Sequence, residues 1–149
     1  MVALESSSPE ETECIAARLA PHLRAGDVVT VAGELGVGKT TFVRGAARAL
    51  GVTAPVTSPT YTVGNRHAAD PDVSHLDLYR FATLTEDDWG DLEGYFAEAV
   101  AFVEWPERAT AFLEPTRAAV RLRLLGGEHR LVEVESGEKS LEISVSEPC

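Results

Sequence analysis

The run Gly33-Glu34-Leu35-Gly36-Val37-Gly38-Lys39-Thr40 has the spacing G-x-x-x-x-G-K-[ST]. Glycines at 33, 36 and 38 let backbone N–H groups turn inward around an anion with no side chain in the way. A helix opening at Lys39 adds its N-terminal dipole to the same spot. Lys39 can then bridge the terminal phosphates of a nucleoside triphosphate, and the Thr40 hydroxyl can ligate magnesium. The plain alternative is a glycine-rich turn kept for tight packing, with Lys39 a surface cation. Composition weighs against it: of the 13 basic residues only Lys39 and Lys139 are lysines, so a general-purpose surface cation in this chain is normally Arg.

Magnesium and hydrolysis call for acids near the same phosphates, at the carboxyl ends of parallel strands. Glu104 terminates the apolar run Val100 to Val103, where a Walker B acid belongs, and can hold the ion directly or through water. Asp77, within His75-Leu76-Asp77-Leu78-Tyr79-Arg80, can orient water or support the ion from further out. Each acid taken alone reads equally as a helix cap or a solvated loop residue. Trp105 and Tyr61 can stack on a purine or a partner, or simply join the core. His22, His67 and His129 have no pairing suggestive of metal or nucleophilic chemistry, and Arg66, Arg121 and Arg123 read as solvated strand faces.

The elements that must position these groups are legible in outline. Ser8-Pro9-Glu10-Glu11 is a capping signal, with Glu11 able to reach back. Cys14, Ile15, Leu19 and Leu23 then recur at helical spacing as far as Ala25-Gly26. Val28 to Ala32 is a short β-prone run of the kind buried in a parallel sheet. Phe42, Val43, Ala46, Ala47 and Leu50 predict a helix from Lys39 that stops at Gly51. Strands are expected at Tyr61–Asn65, Val73–Leu78 and Ala99–Val103, with an acidic, loosely helical stretch from Thr83 to Ala97. Beyond Pro115 the period changes to two, through Val120, Leu122 and Leu124, then Val132 and Val134, then Leu141, Ile143 and Val145, which predicts three antiparallel strands. The fold class is α/β: a three-layer P-loop NTPase-like arrangement with a mainly parallel core and an antiparallel C-terminal extension, expected to form one domain over residues 1–149.

A formal charge of −11 argues against a protein that grips bare nucleic acid by itself, since that affinity comes from Lys and Arg neutralising phosphates. Any RNA role then needs a basic partner. Cys14 and Cys149 form neither a CxxC pair nor an evident framework, so a reducing compartment is expected. No basic-then-apolar leader or membrane-length apolar stretch is apparent, which points to a cytoplasmic protein with no membrane partner.

Guanine specificity of the Ras type needs an Asn/Thr-Lys-x-Asp motif, and with Lys39 used only Lys139 remains, in the unsuitable setting Gly137-Glu138-Lys139-Ser140. A small-molecule kinase shares the loop but needs an acceptor pocket and usually an Arg-rich lid, for which no Arg cluster stands out.

Gly33 to Thr41, Ser58-Pro59-Thr60-Tyr61, His75 to Arg80 and Glu104-Trp105-Pro106-Glu107-Arg108, in this order and spacing, resemble the TsaE (YjeE) family over most of residues 8 to 108. The resemblance implies an ATPase that serves TsaD and TsaB, the subunits that transfer threonylcarbamoyl to adenosine beside the tRNA anticodon. It implies ATP and Mg2+ as cofactors, with tRNA reached only through the complex. Thr40 and Glu104 would hold magnesium, Lys39 and Asp77 would support hydrolysis, and Trp105 would lie beside the nucleotide. Ser58 to Tyr61 would be a mobile segment near the terminal phosphate. Thr12 and Arg130 match places where the family approaches the nucleotide, and Val37 stands where the family often has Ala. A nucleotide-dependent binding module, its hydrolysis incidental, is the rival from another class.

Overall fold

The computed structural model describes residues 1–59 and 63–149. Its frame is one seven-stranded sheet in the order β1-β7-β6-β2-β5-β4-β3. In chain order these are β1 (Val2–Ser6), β2 (Val28–Ala32), β3 (Gly64–His67), β4 (Asp72–Asp77), β5 (Ala99–Glu104), β6 (Ala118–Gly126) and β7 (His129–Glu135). The central strands β6, β2, β5 and β4 run parallel. Antiparallel strands close both flanks, β3 on β4 and β7 then β1 on β6. The expected α/β sheet with a parallel core is therefore present.

Helices α1 (Pro9–Leu19), α2 (Lys39–Ala49) and α5 (Lys139–Val145) share one apolar cluster with one face of the sheet. Ile15, Leu19, Phe42, Val43, Leu141 and Val145 meet Val29, Val31, Val100, Phe102 and Val132 there. The other face is covered over β4 and β5 by short pieces, α3 (Glu86–Leu92) and α4 (Thr110–Leu113), around Leu76, Leu78, Ala101 and Val103. The Val28–Ala32 run is thus covered on both faces, as its β-prone, nearly continuous apolar character leads one to expect, with Thr30 buried among the apolar residues.

Local chemistry explains several boundaries. The Ser8 hydroxyl accepts from Glu11 N–H at 3.1 Å and caps α1. Glu11 reaches one residue further back than expected, to the backbone and hydroxyl of Ser7. The first helix also stops sooner, at Leu19, because Pro21 opens a separate tight turn over Ala20–His22. In the acidic stretch, Thr85 and Asp88 form a reciprocal capping box that starts α3. The third strand begins at Gly64, and the Tyr61 end of the expected Tyr61–Asn65 strand lies outside the described residues.

Two expectations are corrected in the tail. Leu141 and Val145 are buried while Ile143 is 65% exposed, a four-residue spacing that belongs to helix α5 and not to a third tail strand. The physical reason is edge occupancy: β1, too short and too close to the chain start to stand out in sequence, pairs Val2–Ser6 with β7 and fills the edge that strand needed. The tail is also not wholly antiparallel, since β6 joins the core parallel to β2.

The cysteines are corrected as well. Cys14 on α1 and Cys149 at the end of the chain form a disulfide across a sequence separation of 135. No spacing rule detects such a pair; it arises because α5 returns across α1, where the Ser144 hydroxyl donates to Arg18 O and the Arg18 guanidinium donates to Pro148 O.

Candidate functional site at the β2–α2 turn

The turn between β2 and α2 is held open by backbone conformations that side chains resist. Gly33, Gly36 and Gly38 have φ of +149°, +76° and +111°. A Cβ on Gly33 would lie 2.8 Å from both the Leu122 carbonyl oxygen and Val37 Cγ1, so the loop passes β6 at a distance only glycine permits. Val37 is 1% exposed and joins the apolar cluster under α2, with its Cγ1 packed against Gly33, the first glycine of the turn. Glu34, Leu35 and Gly36 form the exposed lip, Leu35 at 64%.

Lys39, first residue of α2, is only 5% exposed. Its ammonium donates to the carbonyls of Gly33 at 2.6 Å and Glu34 at 2.8 Å, so it is drawn across the mouth of its own loop. Burial lowers its pKa from the ordinary lysine value, with Glu104, Asp77, Glu107 and Glu34 opposing that shift through their charges. Lysine here is a built part of the turn and no loose surface cation.

Parallel register brings the acids to this point. Asp77 and Glu104, the last residues of β4 and β5, stand directly opposite each other. Glu104 is 3% exposed, and its Oε2 accepts from the Thr40 hydroxyl at 3.0 Å. His75 Nε2 lies 2.5 Å from the same oxygen. Asp77 Oδ1 accepts from Tyr79 N–H at 3.0 Å, and its Oδ2 takes a long contact of 3.4 Å from the Ser58 hydroxyl. Thr40 and Glu104 thus supply paired hard oxygens of the type that binds a small divalent cation. Among the described residues no group of three or more His, Cys, Asp or Glu is placed to hold a metal ion.

Two clefts flank the loop. The larger, about 800 Å³, is lined by Gly33, Glu34, Leu35, Tyr79, Trp105 and Arg121 among others. The smaller, about 140 Å³, gathers Thr12, Gly36, Val37, Gly38, Thr41 and Arg130. Thr12 is buried and shares a 2.8 Å hydroxyl contact with Ser6, while Arg130 Nε donates to Val37 O at 2.8 Å and braces the loop from β7. Residues separated by more than a hundred positions in sequence therefore meet beside the glycine turn.

Trp105 sits just past Glu104 in a left-handed conformation, φ 58° and ψ 50°, which costs a non-glycine residue about 1–2 kcal/mol. Its ring lies over Lys39 and against Tyr79 and Arg108. Of the fourteen expected site residues, thirteen belong to the loop, line one of its two clefts or bond to it, while Asp77 stands opposite Glu104 on the next strand and is touched by Ser58; Thr60 and Tyr61 lie outside the described residues. His75, Tyr79 and Arg121 are additions. His75 had a sequence signal, since it precedes Asp77 by two on one strand and so shares its side.

Residues 6–132 match the sequence profile of the family described as threonylcarbamoyl adenosine biosynthesis protein TsaE, well past the motifs that end at Arg108. The tRNA threonylcarbamoyladenosine biosynthesis protein TsaE of Bacillus subtilis is 36% identical over 124 residues, covering 83% of this chain and 78% of that protein. The Streptomyces coelicolor protein of the same name is 41% identical over 109 residues, covering 70% and 74%. The crystal structure of Bacillus subtilis YdiB superposes with a TM-score of 0.76 at 28% identity, over 96% of this chain and 90% of that one. With profile, sequence relatives and fold in agreement, the chain belongs to the TsaE family of tRNA threonylcarbamoyladenosine biosynthesis.

Proposed function

We propose that this protein binds Mg-ATP at the β2–α2 turn and hydrolyses it in support of a TsaD–TsaB type complex that forms threonylcarbamoyladenosine beside the tRNA anticodon. The observation that carries this is the convergence of Lys39, Thr40, Asp77 and Glu104 under a positive-φ glycine turn at the carboxyl ends of adjacent strands. The loop amides and Lys39 bind and orient the phosphates. Thr40 and Glu104 would hold magnesium, which when bound neutralises charge developing on the transferred phosphoryl oxygens. Asp77 orients the attacking water. Thr12, Thr41 and Arg130 line the side of the loop suited to the rest of the nucleotide, and Trp105 covers its phosphate end.

The chain acts as one functional domain, and no helix among the described residues is long and apolar enough to cross a membrane. Its net charge of −11 suits docking on basic partner surfaces, so association with the complex weakens as salt rises. Hydrolysis is slow for the chain alone and stimulated by the partner complex.

The deciding experiment measures tRNA threonylcarbamoylation by the partner complex over several turnovers with the protein present, omitted, or carrying Lys39→Ala. The expected result is a single-turnover yield independent of this protein and a multi-turnover gain lost in the variant. Full gain with Lys39→Ala excludes the ATPase role, and ADP formation that requires an added small-molecule acceptor identifies a kinase instead.

A further inference from the structure

We propose that His75 is a positioning residue that fixes the Glu104 carboxylate for its cation through an Nε2–H bond. The assignment rests on Glu104 being the magnesium ligand. His75 is fully buried within β4, on the side of the sheet beneath α2, one step back from the register pair Asp77–Glu104. Two side chains reach Glu104 Oε2: the Thr40 hydroxyl, which donates to it, and His75 Nε2. A hydroxyl that turns toward a cation leaves His75 as the remaining side-chain hydrogen-bond donor on that carboxylate among the described residues.

The two ring nitrogens fix how His75 acts. Nδ1 is buried with no hydrogen-bond partner among the described residues. With Nε2 2.5 Å from a carboxylate oxygen, a bare Nε2 would set two acceptors against each other, so Nε2 carries a ring proton facing Glu104. The donor on Nε2 then pins one carboxylate oxygen and sets the plane of the other. Outer partners of this kind typically govern metal affinity by 10–100-fold.

His75→Phe keeps the ring volume and removes the donor, and His75→Gln restores an N–H at similar reach. Binding of a fluorescent ATP analogue is measured in EDTA and across a Mg2+ titration for the three proteins, with melting curves alongside. All three bind the analogue alike in EDTA. The Mg2+ concentration giving half of the added affinity rises about tenfold or more in His75→Phe and returns toward wild type in His75→Gln. A role in packing alone moves the melting curve and leaves the Mg2+ midpoint in place, and that result overturns the assignment. Wild-type protein that gains no affinity from Mg2+ overturns the proposed function along with it. Should His75→Phe fail to fold, two-bond ¹⁵N–¹H spectra of the wild-type protein without nucleotide decide the matter: a proton on Nε2 is expected, and a bare Nε2 excludes the bond.

Discussion

Lys39 Nζ lies 4.7 Å from the centroid of the Trp105 ring while donating to two carbonyls of its own loop. The Lys39 ammonium is thus covered on one side by an aromatic face and satisfied on the other by backbone oxygens. Phosphate oxygens reaching Lys39 must replace those carbonyl contacts and change what the ring faces.

Trp105 is therefore an internal reporter. The chain has two tryptophans, and Trp89 is stacked on Phe112 in the apolar cluster over β4 and β5. In a Trp89→Phe background, Mg-ATP should shift Trp105 emission saturably, and Lys39→Ala should abolish the shift. Calorimetric binding with unchanged emission would remove Trp105 from the site.

Lys39 also makes a pH prediction. Because burial lowers its pKa from 10.5, the folded chain binds fewer protons than the unfolded chain between the lowered value and 10.5. Stability from this group rises with pH across that window. The cost of burying the charge is fully present below the lowered value and gone above 10.5. Urea unfolding at a series of alkaline pH values should show the rise in wild type relative to Lys39→Met, and parallel curves would refute it.

Glu104→Gln keeps an oxygen that accepts from Thr40 or His75 but removes the charge. Hydrolysis should fall about 100-fold or more, while nucleotide binding in EDTA is retained. If hydrolysis stops and tRNA modification by the complex persists, the protein is a nucleotide-dependent binding module.

Glycines outside the loop separate packing from chemistry. A Cβ on Gly45 would lie 2.4 Å from Glu13 O, where α2 crosses α1. Gly45→Ala should cost about 1–3 kcal/mol and lower Tm by roughly 2–4 °C per kcal/mol, with nucleotide affinity unchanged well below Tm. Gly90, in α3 with nothing within 4 Å of its Cβ position, should gain about 0.4–1 kcal/mol as Ala.

The Cys14–Cys149 bond closes nearly the whole chain. Chain-entropy reasoning allows it about 5 kcal/mol at most. Reductant should lower the Tm of the oxidised protein, and Cys149→Ser should show the lower Tm without further response. Equal melting of oxidised and reduced protein would make the link neutral.

Much of the site was legible because its determinants are local. The glycine spacing, the β-prone run before it and the helical period after it lie within residues 28–50, and the structure forms β2 and α2 there within a residue of the expected bounds. Val100–Val103 announced a buried strand, and Glu104 ends it. The tail was misread where local pattern competes with edge occupancy. Leu141, Ile143 and Val145 alternate like a strand, yet only Leu141 and Val145 are buried, since β1 already holds the edge of β7.

By itself the sequence determined the glycine turn between β2 and α2, the lysine that opens α2 and the acids ending two strands, because residue type and short-range spacing set backbone conformation and strand limits. Only the tertiary structure decided who meets whom. Parallel pairing puts Asp77 opposite Glu104 and His75 within reach of its carboxylate, and the return of β7 brings Arg130 to Val37. Such pairings depend on strand order and register, which arise from competition among sheet edges across the whole chain and leave no short-range trace.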